Sequence, residues 1–178
     1  MNKPLFYDTD CLSSFLGVNR ADLLQRLFSK IIISQQVKDE FDNEETPSKI
    51  KERLKLLIDD KFVEIKEIYL SSKEGNTYFE LKSEYEDIGK GELSVLALAI
   101  TYNGVIASNN LKDICKLIRK YELEHITSAV ILFKCFENDF ISMEETEQIW
   151  QEMLNNTIKL PKSSFKEYYS YEDKLCYN

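Results

Sequence analysis

Short apolar runs recur along the chain, and each is followed by stretches with helical periodicity. Residues 31–33 (III) are uninterrupted and β-branched, which is typical of a strand buried on both faces of a sheet. Residues 4–8 and Val105–Ala107 are similar, residues 62–70 alternate as a half-exposed strand does, and Glu124–Ile126 is a further candidate strand. Strands that alternate with helices predict an α/β fold in which helices cover both faces of a parallel sheet.

Apolar spacing and capping residues predict the helices between these strands. Thr9 or Asp10 is expected to cap the first helix, which ends near Leu16, because a short oxygen side chain accepts hydrogen bonds from free N–H groups. Ser34 is expected to cap another in the same way. The remaining predicted helices cover residues 21–28, 47–60, 71–87, 89–102, 111–121, 128–136 and 142–155.

Composition limits the class of protein. The chain has 178 residues, of which 43% are hydrophobic, and this excludes a disordered chain. The formal charge of −8 argues against a basic nucleic-acid coat but is compatible with an acidic site that has a local basic rim. No apolar run approaches ~18 residues and the N-terminus shows no signal-peptide pattern, so a cytoplasmic protein outside the membrane is expected.

Acidic residues stand where strands are predicted to end. Asp8 and Asp10 follow the first apolar run, and ligands of parallel α/β sheets bind beyond the carboxyl ends of the strands. Glu40 lies one to two turns into the helix after the second strand. Glu92 opens the most apolar helix, next to glycines that allow close backbone approach. After Val105–Ala107 come two amides and then an acid, at Asn109, Asn110 and Asp113.

Four segments carry a family resemblance: FYDTDCLSSFL, IIISQQVKDEF, GKGELSVLALA and VIASNNLKDI. Together they resemble the four signature segments of the PIN-domain nucleases, in the family's order, over about residues 3–126. The resemblance implies a three-layer α/β/α PIN-like fold with a central parallel sheet of 4–5 short strands. It also implies an Mg²⁺- or Mn²⁺-dependent ribonuclease acting on RNA, of the kind that includes VapC-type toxins paired with an antitoxin protein.

The resemblance assigns roles residue by residue. The family's first three acids fall on Asp8, Glu40 and Glu92. Many members have a fourth acid directly after the strand, where this chain has Asn109 and Asn110, and others have it at the position of Asp113. The position of Asp10 is often Asn in the family. The implied catalytic set is Asp8, Glu40, Glu92 and Asp113, and the implied metal ligands are Asp8, Asp10, Glu92 and Asp113.

Clustered carboxylates suit hard divalent cations, which take oxygen ligands and activate water for phosphodiester hydrolysis. His125 is the single histidine in the chain, so a ribonuclease that uses a histidine pair is excluded. Positive charge for RNA phosphates is expected from Lys90 and from the stripe that contains Lys112 and Lys116, and Asn109 and Asn110 are added as substrate-binding candidates.

Each of these residues also has a purely structural interpretation. Asp8 could be a simple strand-end charge, Asp10 a helix cap, and Glu92 an acid favoured by the helix dipole. Glu40 could belong to a solvated acidic face, and the lysine stripe to a solvated helix surface. The sequence leaves both sets of interpretations open.

Residues 1–141 are predicted to form the PIN-like domain, and residues 142–178 a helical extension packed on the same domain. The segment MEETEQIWQEML carries an apolar patch that is expected either to cover the far side of the sheet or to form a homodimer. A metal-dependent endoribonuclease is the first functional hypothesis. A catalytically degenerate PIN-like module that binds protein or nucleic acid is the alternative, and a phosphatase or receiver-like fold ranks last because a phosphate-cradling glycine loop is missing.

Overall fold

A computed structural model of the chain describes residues 3–172, apart from the side chains of residues 111–113, 171 and 172. In this part of the chain five short strands form one sheet. They are β1 (Leu5–Tyr7), β2 (Ile31–Ser34), β3 (Val63–Lys66), β4 (Val105–Ala107) and β5 (Glu124–Ile126). Their order in the sheet is β3-β2-β1-β4-β5, and every neighbouring pair is parallel.

The helices of the described residues lie between and after the strands. They are α1 (Thr9–Gly17), α2 (Ala21–Leu27), α3 (Gln35–Asp42), α4 (Ser48–Asp59), α5 (Lys73–Glu84), α6 (Lys90–Tyr102), α7 (Leu111–Lys120), α8 (Ser128–Glu137), α9 (Met143–Asn155) and α10 (Phe165–Glu172). Together with the sheet they form the predicted three-layer α/β/α arrangement. The expected PIN-like fold class is therefore confirmed.

Strand β3 is shorter than the sequence pattern predicts. It ends at Lys66, whereas the alternation of apolar and polar residues continues to residue 70. The reason is that its one hydrogen-bonded neighbour, β2, ends at Ser34, which pairs with Lys66 in the register. A strand cannot continue its ladder past the end of its partner, so the residues beyond Lys66 leave the sheet.

The chain changes direction across the sheet between β1 and β4. From β1 it moves outward through β2 to β3, and it then returns through α5 and α6 to place β4 on the other side of β1. This arrangement creates a topological switch point between β1 and β4, and such a point is where open parallel sheets form a crevice beyond their strand ends. The register pairs Tyr7 with Ala107, so residues 8 and 108 leave the sheet side by side.

The cap of α1 differs from the sequence expectation. Neither Thr9 nor Asp10 caps this helix, because Asp8 itself is in the capping position with extended backbone and accepts a hydrogen bond from the Thr9 N–H. Strand β1 thus ends one residue earlier than predicted and passes directly into the helix. Ser34 caps α3 as predicted, accepting from the Val37 N–H at 3.0 Å.

The C-terminal helices pack on the rest of the chain. Helix α9 lies against α1, α8 and α10 and buries Ile149, Trp150 and Met153. The apolar patch predicted from the sequence is therefore covered within the same chain, and a homodimer would need another surface. Helix α10, whose bounds within the predicted helical extension were not assigned from the sequence, is anchored by the buried rings of Phe165 and Tyr168. The division at residues 141 and 142 stays a prediction.

Between residues 3 and 172 no helix is long and apolar enough to cross a bilayer.

Candidate metal and active site

Asp8 lies at the centre of the site, at the carboxyl end of β1. Its side chain is only 4% exposed, although it carries a carboxyl group. One carboxyl oxygen accepts a hydrogen bond from the Thr9 N–H at 2.8 Å, and the other accepts from the Ser108 hydroxyl at 3.1 Å. The backbone N–H of Asp8 donates to the Ala107 carbonyl at 2.9 Å. Asp8 is thus held at the junction of β1, β4 and α1.

The electrostatic environment of Asp8 disfavours its charged form. Burial raises the pKa of Asp8 to about 8, and repulsion from Asp10 and Glu92 contributes to the increase. The hydrogen bonds from Thr9 and Ser108 lower the pKa only in part. A carboxyl group that is buried beside two other acids is neutral near pH 7 unless a cation compensates for the charge.

Asp10 lies in the first turn of α1, and its side chain reaches the loop that follows β4. Its carboxylate accepts a hydrogen bond from the backbone N–H of Asn109 at 3.3 Å. Burial raises the pKa of Asp10, whereas the N–H groups of Asn109 and Cys11, a hydrogen bond with Asp8 and the positive charge of Lys159 act in the opposite direction. Asp8 and Asp10 therefore interact directly, through a hydrogen bond between their side chains.

Asn109 connects β4 to two helices. Its amide nitrogen donates to the Ser14 and Ser128 hydroxyls at 3.1 and 3.0 Å, and its amide oxygen accepts from the Ser128 N–H at 2.9 Å. Three hydrogen bonds to the protein occupy this side chain. They explain why an amide suits this position, because a carboxylate has no N–H to donate.

Asn110 positions Glu92, which was expected to be the third acid. The Asn110 amide nitrogen donates to a Glu92 carboxylate oxygen at 2.7 Å, and the Asn110 backbone N–H donates to the Ser108 hydroxyl at 3.1 Å. Glu92 lies in the first turn of α6, where the helix dipole favours a negative charge. The amide next to the strand end thus aligns a carboxylate from another helix with Asp8.

Glu40 reaches the same edge of the sheet from α3. Its carboxylate accepts hydrogen bonds from the Thr9 hydroxyl and from the Gly91 N–H, the latter at 3.1 Å. Both donors are chain neighbours of other predicted acids, Asp8 and Glu92. Glu40 therefore lies beside the acidic cluster and connects the starts of α1 and α6.

The remaining predicted site residues are less closely tied to the cluster. Lys90, at the start of α6, and Lys116, on α7, are both exposed. The side chains of Lys112 and Asp113 lie outside the described residues, although their backbone belongs to the first turn of α7. Lys120, at the end of the same lysine stripe, forms an ion pair with Glu84, as expected of a solvated helix surface.

Three further residues contribute to the site and were not predicted for it. Ser108 contacts both Asp8 and Asn110 through its hydroxyl. The His125 Nε2 lies 2.8 Å from the Ser108 carbonyl oxygen and supports the same loop from β5. Lys159 brings positive charge to Asp10 from the C-terminal region. The one sequence signal for Ser108 was its position directly after an apolar strand.

The donor set is suited to a hard divalent cation. Carboxylate oxygens from Asp8, Asp10 and Glu92 are the ligands that Mg²⁺ and Mn²⁺ prefer. Where side chains are described, no three acidic, histidine or cysteine residues are already grouped so that they could hold a metal ion. Mg²⁺ nevertheless binds through one or two carboxylates and keeps several waters. A pair such as Asp8 and Glu92 is therefore sufficient, and a cation there would relieve the repulsion that raises the Asp8 pKa.

Comparison with known proteins identifies the family. A family model described as a PIN domain, DUF3368, matches residues 5–171. Among solved structures the chain resembles VapBC2 from Rickettsia felis bound to a DNA fragment from their promoter, at 22% identity and a TM-score of 0.52, covering 69% of this chain and 97% of the other. It also resembles VapBC-1 from nontypeable Haemophilus influenzae, at 18% identity and a TM-score of 0.47, covering 70% and 97%. No curated protein matches the chain. Because the family model covers nearly its whole length, the protein belongs to the PIN-domain family.

Proposed function

We propose that this protein is a divalent-metal-dependent endoribonuclease that uses Mg²⁺ or Mn²⁺ to hydrolyse phosphodiester bonds in RNA. One observation carries the proposal: the buried carboxyl group of Asp8 lies beside Asp10 and Glu92 at the switch point of a parallel sheet. Membership of a nuclease-rich family supports it. A buried carboxyl group beside two half-buried acids is unfavourable for folding, and a catalytic cation gives this arrangement a purpose.

Asp8 and Glu92 would hold the cation, with Asp10 and Asp113 as further ligands, either directly or through water. A bound divalent cation would lower the pKa of an attacking water and offset negative charge on the departing oxygen. The chain itself keeps the ligands in place: Ser108 and the Thr9 N–H orient Asp8, and Asn110 orients Glu92. The carboxylate of Glu40 is assigned to the catalytic set because it fixes the starts of α1 and α6 around these ligands.

RNA would approach from the carboxyl edge of the sheet. Lys90, Lys112 and Lys116 are proposed to contact the RNA phosphates. Their positive charge would reduce the repulsion between the acidic cluster and the negatively charged RNA. Asn110 is proposed to contact substrate in addition to Glu92. Asn109 is proposed to act on the substrate indirectly, because its amide is engaged by Ser14 and Ser128.

RNA cleavage tests this proposal. Purified wild-type protein should cut single-stranded RNA when Mn²⁺ or Mg²⁺ is present and should stop when a chelator is added. Asp8→Asn and Glu92→Gln should each reduce the rate at least tenfold, whereas Glu44→Gln, a change of an exposed acid, should not alter it. Equal cleavage by the wild type and both site variants would rule out this site as the source of the activity.

We further propose that the protein is the toxin of a toxin–antitoxin-like pair and acts in the cytoplasm. The similar structure from R. felis is a VapBC2 assembly on a fragment of its promoter, and at 22% identity this likeness shows the fold alone. The partner is expected to be encoded by a neighbouring gene. Coexpression with the product of that gene should suppress RNA cleavage, and unchanged cleavage by a stably formed complex would contradict an antitoxin role.

A catalytically degenerate PIN-like module that binds protein or nucleic acid is the second candidate. It is favoured by Asn109 and Asn110, whose amides stand where many relatives carry an acid. Melting with and without millimolar Mn²⁺ separates the two candidates, because a cation that binds the native state raises its melting temperature. Absence of both a shift and RNA cleavage would favour the degenerate module.

A further inference from the structure

A cavity of about 430 Å³ lies next to the acidic cluster. Its walls come from the ends of β4 and β5, from the start of α8, from residues 159–161 and from α10, and they include Asn109, His125, Val130, Lys159, Leu160 and Tyr168. A volume of this order is typical of small-molecule sites. The nuclease mechanism proposed above makes no use of this cavity.

The cavity and the acidic cluster share a wall. Asn109 lines the cavity, and its backbone N–H donates to the Asp10 carboxylate at 3.3 Å. Lys159 also lines the cavity, and its positive charge is close enough to Asp10 to lower the pKa of that carboxyl group. A ligand in the cavity would therefore lie about one residue away from the proposed cation site.

The walls are mostly apolar and include a few polar side chains. Ala129, Val130, Leu160 and Pro161 supply the apolar surface. The Tyr168 ring is held rigidly against Trp150, with ring centroids 5.2 Å apart. His125 is fixed by the contact of its Nε2 with the Ser108 carbonyl, and burial lowers its pKa, so the imidazole is neutral near pH 7. A flat ring with hydrogen-bonding edges matches these walls.

We propose that this cavity is a nucleobase subsite, which receives one base of the RNA next to the scissile phosphate, while Lys159 contacts the backbone of that nucleotide. The inference rests on the proposed ribonuclease function and adds a determinant of sequence preference to it. A cation beside an otherwise acidic site favours a ligand that combines an apolar ring with a phosphate, and a nucleotide has both. An apolar side chain of a partner protein would fill the cavity but would not need Lys159.

Nucleotide binding to the metal-free protein tests the inference without any requirement for catalysis. The wild type would be titrated in the presence of a chelator with the 5′-monophosphates of adenosine, guanosine, cytidine and uridine, and with ribose 5-phosphate. At least one nucleotide should bind about fivefold or more tightly than ribose 5-phosphate, because its base adds contacts that ribose 5-phosphate lacks. Val130→Phe, which fills the cavity, should remove that difference, and Lys159→Ala should weaken binding of every phosphate compound.

Lys49→Ala provides the matched control. Lys49 lines a separate cavity of about 530 Å³, which residues 156–158 form with α4, so its loss should leave nucleotide binding unchanged. Val130→Phe must retain the far-ultraviolet circular dichroism of the wild type, and Val130→Leu provides a milder filling variant if it does not.

The outcomes separate this inference from the proposed function. Nucleotide binding that Val130→Phe removes would support the subsite even if no RNA were cleaved. Two results would overturn the subsite: nucleotides that bind no better than ribose 5-phosphate, or equal binding by the wild type and the filled variant. If RNA cleavage persisted in either case, we would assign the cavity to a side chain of a protein partner.

Discussion

The carboxylate of Glu40 accepts a hydrogen bond from the backbone N–H of Gly91 at 3.1 Å, and the two residues are 51 positions apart. Its other oxygen accepts from the Thr9 hydroxyl. A Cβ at position 91 would lie 2.5 Å from Glu40 Oε1, a distance that no side chain allows. Glycine at this position thus allows the close approach of Glu40, and its backbone angle is an ordinary one.

Gly91→Ala should therefore move the Glu40 carboxylate without a large change in the stability of the fold. We expect the methyl group to displace the exposed end of Glu40, with a change of less than about 1 kcal/mol in the free energy of unfolding. RNA cleavage should fall about tenfold or more, because small displacements at a catalytic site are costly. Gly17→Ala is the control, since its Cβ would meet Asn156 at an ordinary 3.6 Å. Full cleavage by Gly91→Ala would remove Glu40 from the catalytic set.

Asp8 should make the stability of the metal-free protein depend on pH. Its pKa is raised to about 8 in the folded protein, above the 3.8 of the free side chain, so between pH 4 and pH 8 the folded state binds the additional proton. The contribution of Asp8 to stability is therefore greatest below the unfolded pKa and is lost as the pH rises to about 8. Urea unfolding at several pH values should show this decline, and Asp8→Asn should reduce it.

Asp59→Asn is the matched control for this measurement. Asp59 is exposed on α4, where it forms an ion pair with Lys55, and its loss should leave the dependence on pH as it is in the wild type. A decline of equal slope in the wild type and in Asp8→Asn would contradict the raised pKa of Asp8.

Cation binding should depend on pH for the same reason. Because Asp8 is protonated near neutral pH, a cation must displace its proton, and affinity should increase as the pH approaches 8. Mn²⁺ should thus raise the melting temperature more at pH 8 than at pH 6. Asp8→Asn should abolish most of the shift at both values. A larger shift at pH 6 would show that the cation binds elsewhere.

Loss of the Asn109 side chain should destabilise the fold without changing any acid. Asn109→Ala removes hydrogen bonds to Ser14 and Ser128 and leaves the Ser128 N–H without its acceptor. We expect a loss of about 2 kcal/mol in the free energy of unfolding. Asn76→Ala, at an exposed position of α5, should cause no such loss. If Asn109→Ala left the free energy of unfolding unchanged, the connection between β4, α1 and α8 would contribute little to stability.

Trp150 can report whether the C-terminal helices unfold with the rest of the chain. It is the single tryptophan in the sequence, it is fully buried, and its Nε1 donates to the Lys162 carbonyl at 3.0 Å. Because α9 packs on α1 and α8, its fluorescence and the far-ultraviolet circular dichroism should change at the same urea concentration. Trp150→Ala should cost about 3–5 kcal/mol. A fluorescence transition at lower urea would show that residues 142–178 unfold separately.

Local patterns were sufficient to predict most of the secondary structure. The β-branched residues 31–33 mark β2 because they suit a strand covered on both faces, and the Ser34 cap was evident from its position before a helical pattern. The acids at strand ends, above all Asp8, could be found because parallel strands present their carboxyl ends at one edge. The C-terminal end of β3 could not be predicted, since the point where a strand leaves the sheet depends on the length of its neighbour.

The sequence by itself determined the alternation of strands and helices, the α/β class and the positions of the candidate acids. Only the tertiary structure decided that β1 and β4 are neighbours, which brings Ser108 to Asp8 across 100 positions of chain. It also decided that Asn109 holds two helices, that Glu40 meets Gly91, and that Lys159 lies near Asp10. The physical reason is that sequence periodicity indicates which face of a helix or strand is buried. The elements that this face contacts depend on how distant parts of the chain pack around one core.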